Sequence, residues 1–430
     1  MPEWLQKITK NPFLTNSFLF TIIFGLTNLI NFLANFIIVK GLPIEWYGEY
    51  SSAVAYVNLL AVPLTIISLI IIKKIGLEKE TARQKFITLT EKRLGATLKK
   101  YWWLVILALG LLTIGLTNWA NFKNSVSVVF IVLSWPISIV TAIYAGFLQG
   151  AKKFKHLGMA NIIGALIKVG GALLVIKIAP SLMGVLGAVL LGNVAVLTYE
   201  KMTALPKTKK AEGRKKAAMK NLVKSYDLGR LIWQREIWLP TVTTIGVMAL
   251  VNSDLILVKA LMPEMAAGLF GVISLLARTI YYALTPFTQV FFAFGSSKEN
   301  FKHQNKNLMM STGFFILVGL VATAIFALLP KLVLVLFATT DYLVLEPILW
   351  WAGVIGTFFA LANLYAQYFI ARNEKKAVVA IGAAILQVGL IVFWHQDIRQ
   401  ILMIDLIVTG LLAVTYLLFF WGKWRKKNAA

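Results

Sequence analysis

Three ionisable side chains stand inside long apolar stretches: Lys168 in GALIKVGGALLV, Asp254 in ALVNSDLILVKALM and Arg278 in ISLLARTIYYALTPF. In hydrocarbon such a charge costs about 2.5–3.5 kcal/mol on insertion scales, so it faces a cavity or a partner and is a functional candidate by default. Lys168 and Arg278 have the chemistry to receive an anion. Arginine offers a planar fork to phosphate oxygens and lysine a point charge, and fixed cations in a lumen lower the barrier that excludes anions. Each has a plainer alternative. Lys168 could snorkel to an interface, less attractive at mid-span; Arg278 could pair with Asp254. At 1.5 Å per residue, Asp254 lies roughly 13 Å and Arg278 roughly 22 Å below the turn at Pro263, a gap of about 9 Å that only long side chains or water bridge. Three roles therefore stay open for Asp254: a structural pair, a lumen network, or a cation- or proton-coupling site; it is expected to face a cavity, where its charge is solvated or paired. Asp405, in ILMIDLIVTGLL, is either a second lumen acid or a group near the outer interface, and the interface is preferred.

The uncharged polar residues are weaker candidates. Gln149, Asn161, Gln289, Asn363, Gln367 and Gln387 could bond substrate hydroxyls, with interhelical bonding the preferred role for each; Asn31, Asn35, Gln149 and Gln289 are the weak lumen candidates. Pro63, Pro136 and Pro286 each remove a backbone bond within an apolar stretch and should kink it, and Pro63 and Pro286 are the hinge candidates. Catalytic and metal chemistry find little support. The chain has no Cys and three His, His156, His303 and His395, none in H-E-x-x-H spacing, and no GxxxxGK[ST] loop for a nucleotide. No enzyme activity, cofactor or metal is expected.

The elements that must position these residues are set by composition. Of 430 residues 59% are hydrophobic and 14% charged, against about 25% charged in soluble domains. The mean hydropathy is +0.76. About 20 apolar residues in a helix cross a bilayer, with every backbone amide bonded internally. Twelve segments qualify: Phe13–Val39, Tyr47–Ile72, Tyr101–Asn118, Val126–Phe147, Gly158–Ile176, Leu182–Tyr199, Ile237–Val258, Gly268–Phe294, Leu308–Leu329, Pro347–Ile370, Ala377–Trp394 and Ile401–Trp421. The first carries no small-residue cleavage pattern and reads as a span, not a signal peptide.

Alternating the connectors between two sides places 35 Lys and Arg on the side of both termini and six on the other, with Lys168 and Arg278 inside spans. Such an asymmetry predicts cytoplasmic termini and a multi-pass protein of the cell (inner) membrane. The net charge of +25 is then a topology signal. The basic linker at 201–235 is expected to contact anionic membrane lipids, with no nucleic-acid partner. Within the other long inner loop, Phe86, Leu89, Leu94 and Leu98 could cover one side of an interfacial helix. The connections on the opposite side all read as short.

The linker divides the chain into residues 1–200 and 236–430, six spans each. A shift of 220 lays GLPIEWYGEY over LMPEMAAGLF, superposing Pro43, Gly48 and Tyr50 on Pro263, Gly268 and Phe270. A shift of 219 lays GALIKVGGALLV over AAILQVGLIVFW. Because six is even, the halves are parallel repeats about an axis along the membrane normal, an arrangement that places a substrate site between them.

The Asn-rich first span (Asn28, Asn31, Asn35), PIEWYGEY, AGFLQGAKKFKHLGMANIIGALIKVGGALLV and VNSDLILVKALMPEMAAGLF together resemble the polysaccharide flippases of the multidrug/oligosaccharidyl-lipid/polysaccharide exporter superfamily. The resemblance covers nearly the whole chain. It implies an all-α polytopic membrane protein of twelve transmembrane helices in two six-helix lobes, a MATE-like fold. It also implies translocation of a polyisoprenyl-pyrophosphate-linked oligosaccharide to the outer leaflet by alternating access, for cell-surface polysaccharide biosynthesis, with H+ or Na+ as the coupling ion where transport is coupled. Asp254 takes the place of an acid that the family carries ahead of the outer turn. Two rivals are an antiporter of drugs or small molecules from the same superfamily and a membrane scaffold for envelope assembly. The antiporter branch generally needs acids in the amino-terminal lobe, and Phe13–Val39 has none; the scaffold predicts no cavity.

Overall fold

The computed structural model describes residues 12–77, 102–205, 235–295 and 301–428, with isolated positions between 87 and 100. Among them every regular element is helical. The amino-terminal half comprises α1 (Pro12–Gly41), α2 (Ile44–Ala61), α3 (Thr65–Leu77), α4 (Trp102–Trp119), α5 (Ser125–Gly150), α6 (Phe154–Ile178) and α7 (Leu182–Ala204). The carboxy-terminal half comprises α8 (Arg235–Leu261), α9 (Glu264–Gly295), α10 (Phe301–Leu328), α11 (Pro330–Phe337), α12 (Trp350–Ala371), α13 (Val379–Phe393) and α14 (Ile398–Asn428). Among the described residues, eleven helical stretches are long and apolar enough to cross a membrane. A shorter apolar helix at Leu107–Trp119 falls on the third expected span, so all twelve have a helical counterpart.

The second span is composite. A 3-10 turn at Val62–Leu64 separates α2 from α3 at Pro63, whose ring supplies no N–H and clashes with the preceding turn. Pro136 and Pro286 leave α5 and α9 unbroken. One connection on the face that the charge count predicts to be outer is longer than expected: α11 and a 3-10 segment at Thr340–Ile348 bridge the ninth and tenth spans. The proposed interfacial positions Phe86, Leu89, Leu94 and Leu98 lie outside the described residues, as do residues 206–234 of the basic linker.

The core lies toward the carboxy-terminal half. In the spans formed by α8, α9 and α12, 72–78% of the apolar window is buried, against 22–33% for α1, α2, α5, α6 and α7, whose outward faces are left to lipid. The two halves meet where α1 and α2 lie against α8 and α9. At their outer ends the repeat-related glycines touch. A Cβ on Gly48 would sit 2.6 Å from the Gly268 nitrogen, and one on Gly268 would collide with the Ile44 carbonyl oxygen. Equivalent segments of two parallel repeats meet in this way at their common axis, and only residues without a side chain allow the backbones so close.

Candidate functional site

A cavity of about 650 Å³ runs between the halves, from Tyr47, one turn below the outer end of α2, to Pro286 on α9. Its walls come from α1, α2, α6, α8 and α9. Lys168 reaches it from the amino-terminal side and Arg278 from the carboxy-terminal side, and no Asp or Glu lines it. The Lys168 ammonium donates a long hydrogen bond, 3.4 Å, to Asn35 Oδ1, which also accepts from the Tyr50 hydroxyl at 2.9 Å. No carboxylate among the described residues lies within ion-pairing distance of Lys168, so its charge is directed at the cavity.

Arg278 is paired. Its Nη2 donates to Asp254 Oδ1 at 2.9 Å, so the arginine's length bridges the depth gap that the residue count predicts. Contrary to the expectation that it faces the cavity, Asp254 is 2% exposed and lies behind Arg278, away from the cavity wall, because the arginine fills the space between them. It also accepts from the Leu255 amide at 2.7 Å and from the Ser274 hydroxyl at 3.4 Å. Arg278 Nε is buried without a hydrogen-bond partner, leaving one edge of the guanidinium uncommitted.

Asp405 departs from its expected place near the outer interface. It is 1% exposed and accepts from Gln387 Nε2 at 2.6 Å. Gln387 also donates to the Leu250 carbonyl and accepts from the Ser253 hydroxyl, tying α8, α13 and α14 together. Asp254 and Asp405 are thus two buried acids held differently, Asp254 by the charge of Arg278 and Asp405 by the neutral amide of Gln387. The sequence does not show this arrangement because Gln387 meets Ser253 across 134 residues of chain; the signal available was that Asp254 and Asp405 are both flanked by apolar residues.

Of the remaining candidates, Asn31 and Asn35 line the cavity, as does Pro286. Gln149 does not; it is exposed near the end of α5. The Gln289 side chain lies outside the described residues. Pro63 is exposed at the break between α2 and α3.

Above the cavity the halves are closed by charge and by aromatic rings. Glu49 on α2 accepts from the Lys123 amide (3.0 Å), the Asn124 amide (3.3 Å) and the Ser127 hydroxyl (3.0 Å). The fully buried Lys259 of α8 stands 3.6 Å from Glu49 and 3.8 Å from Glu264, and Lys123 pairs with Glu264 at 3.0 Å. Ion pairs thus cross between the halves in both directions. Phe337, at the end of α11, packs edge-on against Phe32 and Phe36 of α1. None of these residues was singled out by sequence: Lys259 read as one of six outer cations and Glu49 as part of the repeat.

The described residues therefore define a multi-pass helical membrane protein with two lobes around a cavity that has Lys168 and Arg278 on its wall. No protein-family model matches the chain, and no curated protein sequence does. Solved structures do. An inward-facing multidrug resistance MATE family transporter of the MOP superfamily superposes with TM-score 0.66 at 16% identity, over 94% of this chain and 96% of that one. The lipid II flippase MurJ in an inward closed conformation superposes with TM-score 0.70 at 12% identity, over 93% and 87%. An outward-facing MATE transporter gives 0.59 at 14% identity, over 95% of each. The fold is that of these carriers, as the sequence reading expects.

Proposed function

We propose that the chain is a flippase that carries a polyisoprenyl-pyrophosphate-linked oligosaccharide from the inner to the outer leaflet by alternating access between residues 1–200 and 236–430, for cell-surface polysaccharide biosynthesis. The observation that carries this reading is the cavity wall itself: one cation from each lobe, Lys168 and Arg278, and no carboxylate. A pyrophosphate can sit between them while its isoprenoid tail stays in lipid. The similarity to a lipid II flippase supports a lipid-linked substrate. The charge count supports an inner-membrane location with cytoplasmic termini.

The runner-up is an antiporter of small molecules, favoured by the MATE neighbours and by the buried Asp254 and Asp405, which suit coupling to H+ or Na+ in either reading. The scaffold reading loses ground to a cavity that holds both intramembrane cations on its wall. The deciding experiment reconstitutes the full chain in proteoliposomes and follows a fluorescent lipid-linked oligosaccharide between leaflets. Wild type should accelerate translocation, and Lys168→Ala and Arg278→Ala should each slow it at least tenfold. Absence of wild-type translocation for every glycan tried would refute the flippase reading; unchanged rates in both variants would refute the site.

A further inference from the structure

A second cavity, about 440 Å³, lies wholly within the amino-terminal lobe. Its size falls within the roughly 300–1,000 Å³ typical of small-ligand clefts. Four carboxamides reach it from four helices: Asn31 on α1, Asn58 on α2, Asn161 on α6 and Asn193 on α7. None of the four makes a protein hydrogen bond among the described residues, in contrast to Asn28 and Asn35, whose amides bond Tyr282 and Tyr50. Unpaired amides within a bilayer cost free energy unless water or a ligand meets them. Their convergence on one chamber marks it as a wet or liganded space.

The surrounding packing holds these amides in place. A Cβ on Gly192 would stand 2.7 Å from the Gly164 carbonyl oxygen, so α6 and α7 approach backbone to backbone beside Asn161 and Asn193. The lining contains no Asp or Glu. Lys168, Asn31 and Asn58 belong to the walls of this chamber and of the interlobe cavity alike, which makes Lys168 the group at their junction.

A carboxamide both donates and accepts, as each hydroxyl of a sugar does, and offers nothing to a cation comparable to a carboxylate. We propose that this chamber is a glycan subsite: Asn31, Asn58, Asn161 and Asn193 bind the hydroxyl-rich sugar next to the pyrophosphate, while Lys168 holds the anion at the mouth. This rests on the flippase reading above and adds which part of the headgroup the amino-terminal lobe selects.

The test measures binding of two probes to the full chain in lipid nanodiscs: a polyprenyl pyrophosphate bearing a disaccharide, and the same polyprenyl pyrophosphate without sugar. Wild type should bind the glycosylated probe at least tenfold more tightly. Asn161→Leu and Asn193→Leu should each abolish most of that preference and leave the bare probe unchanged, which also reports that the variant is folded; the milder Asn161→Ser should lose less. Lys168→Met should weaken both probes alike. Equal wild-type affinity for the two probes, or an undiminished preference in the Asn variants, overturns the glycan subsite and leaves the flippase reading standing. Failure of wild type to bind either probe overturns both.

Discussion

Replacing Lys259 with Met would cut an ion pair that holds the lobes together at the outer end. Lys259 is fully buried and stands 3.6 Å from Glu49 across the interface. At an effective dielectric of about 20 a pair at that distance attracts by about 4–5 kcal/mol. The net contribution is smaller, because the ammonium gives up its hydration and makes no hydrogen bond in return. A loss of about 1.5–3 kcal/mol is expected, below the roughly 3–5 kcal/mol of a broken buried pair that leaves its partner orphaned. In the variant Glu49 keeps its three amino-terminal-lobe donors and Glu264 keeps Lys123, so neither carboxylate is orphaned. The substitution thus weakens the closed outer end without unfolding either lobe.

With tenfold per 1.4 kcal/mol, the balance should move about 10- to 100-fold toward separated outer ends. The chain has no cysteine, so Lys177→Cys and Gln396→Cys, both exposed on opposite lobes, can carry spin labels without background. Double electron–electron resonance in liposomes should show a longer-distance population rising when Lys259→Met is added. Superimposable distance distributions with and without Lys259→Met would refute the claim that this pair holds the lobes closed, whatever the transport rate.

Asp254→Asn should lower stability by about 3–5 kcal/mol, because it leaves the buried Arg278 guanidinium without its counter-charge, and Asp254→Leu with Arg278→Met should recover most of it in thermal unfolding. Gly268→Ala should drive the outer ends apart by collision with the Ile44 carbonyl, raising the same long-distance population that Lys259→Met raises. Asp405→Asn should leave substrate binding intact and remove the response of transport to an imposed pH or Na+ gradient, measured in proteoliposomes; a retained response would take Asp405 out of coupling.

The spans were legible because they rest on local composition. A helix that crosses hydrocarbon needs about 20 predominantly apolar residues, so twelve segments could be read one window at a time, and the repeat that superposes Gly48 on Gly268 is visible in sequence although their contact is not. Lys168 and Arg278 were legible for the same reason: a charge in an apolar run is locally conspicuous. Partners brought together by tertiary packing were not. Glu49 and Lys259 each sit near an outer turn, where a charge excites no notice, and only the fold buries both. Asp405 lies near the start of its helix in sequence yet deep in the lobe in space, because α13 packs over it. The outer bridge of α11 escaped notice because its apolar run of eight residues is too short to register as a span.

The two lobes carry different chemistry, and Arg278 belongs to both kinds. The amino-terminal side presents an unpaired cation and free amides, groups that bind without exchanging charge with an acid. The carboxy-terminal side buries two acids and a glutamine away from the cavity, groups suited to taking up and releasing a cation. Arg278 faces the cavity while its Nη2 is held by Asp254 behind the wall. An anion drawn to that guanidinium therefore competes with Asp254 for one charge, and weakening the pair raises the attraction of Asp254 for any other cation. By reciprocity, a cation bound at Asp254 frees Arg278 for the anion by the same factor. On the flippase reading, one arginine shared between the passage and the buried acids is enough to link headgroup binding to an ion gradient without a longer chain of contacts.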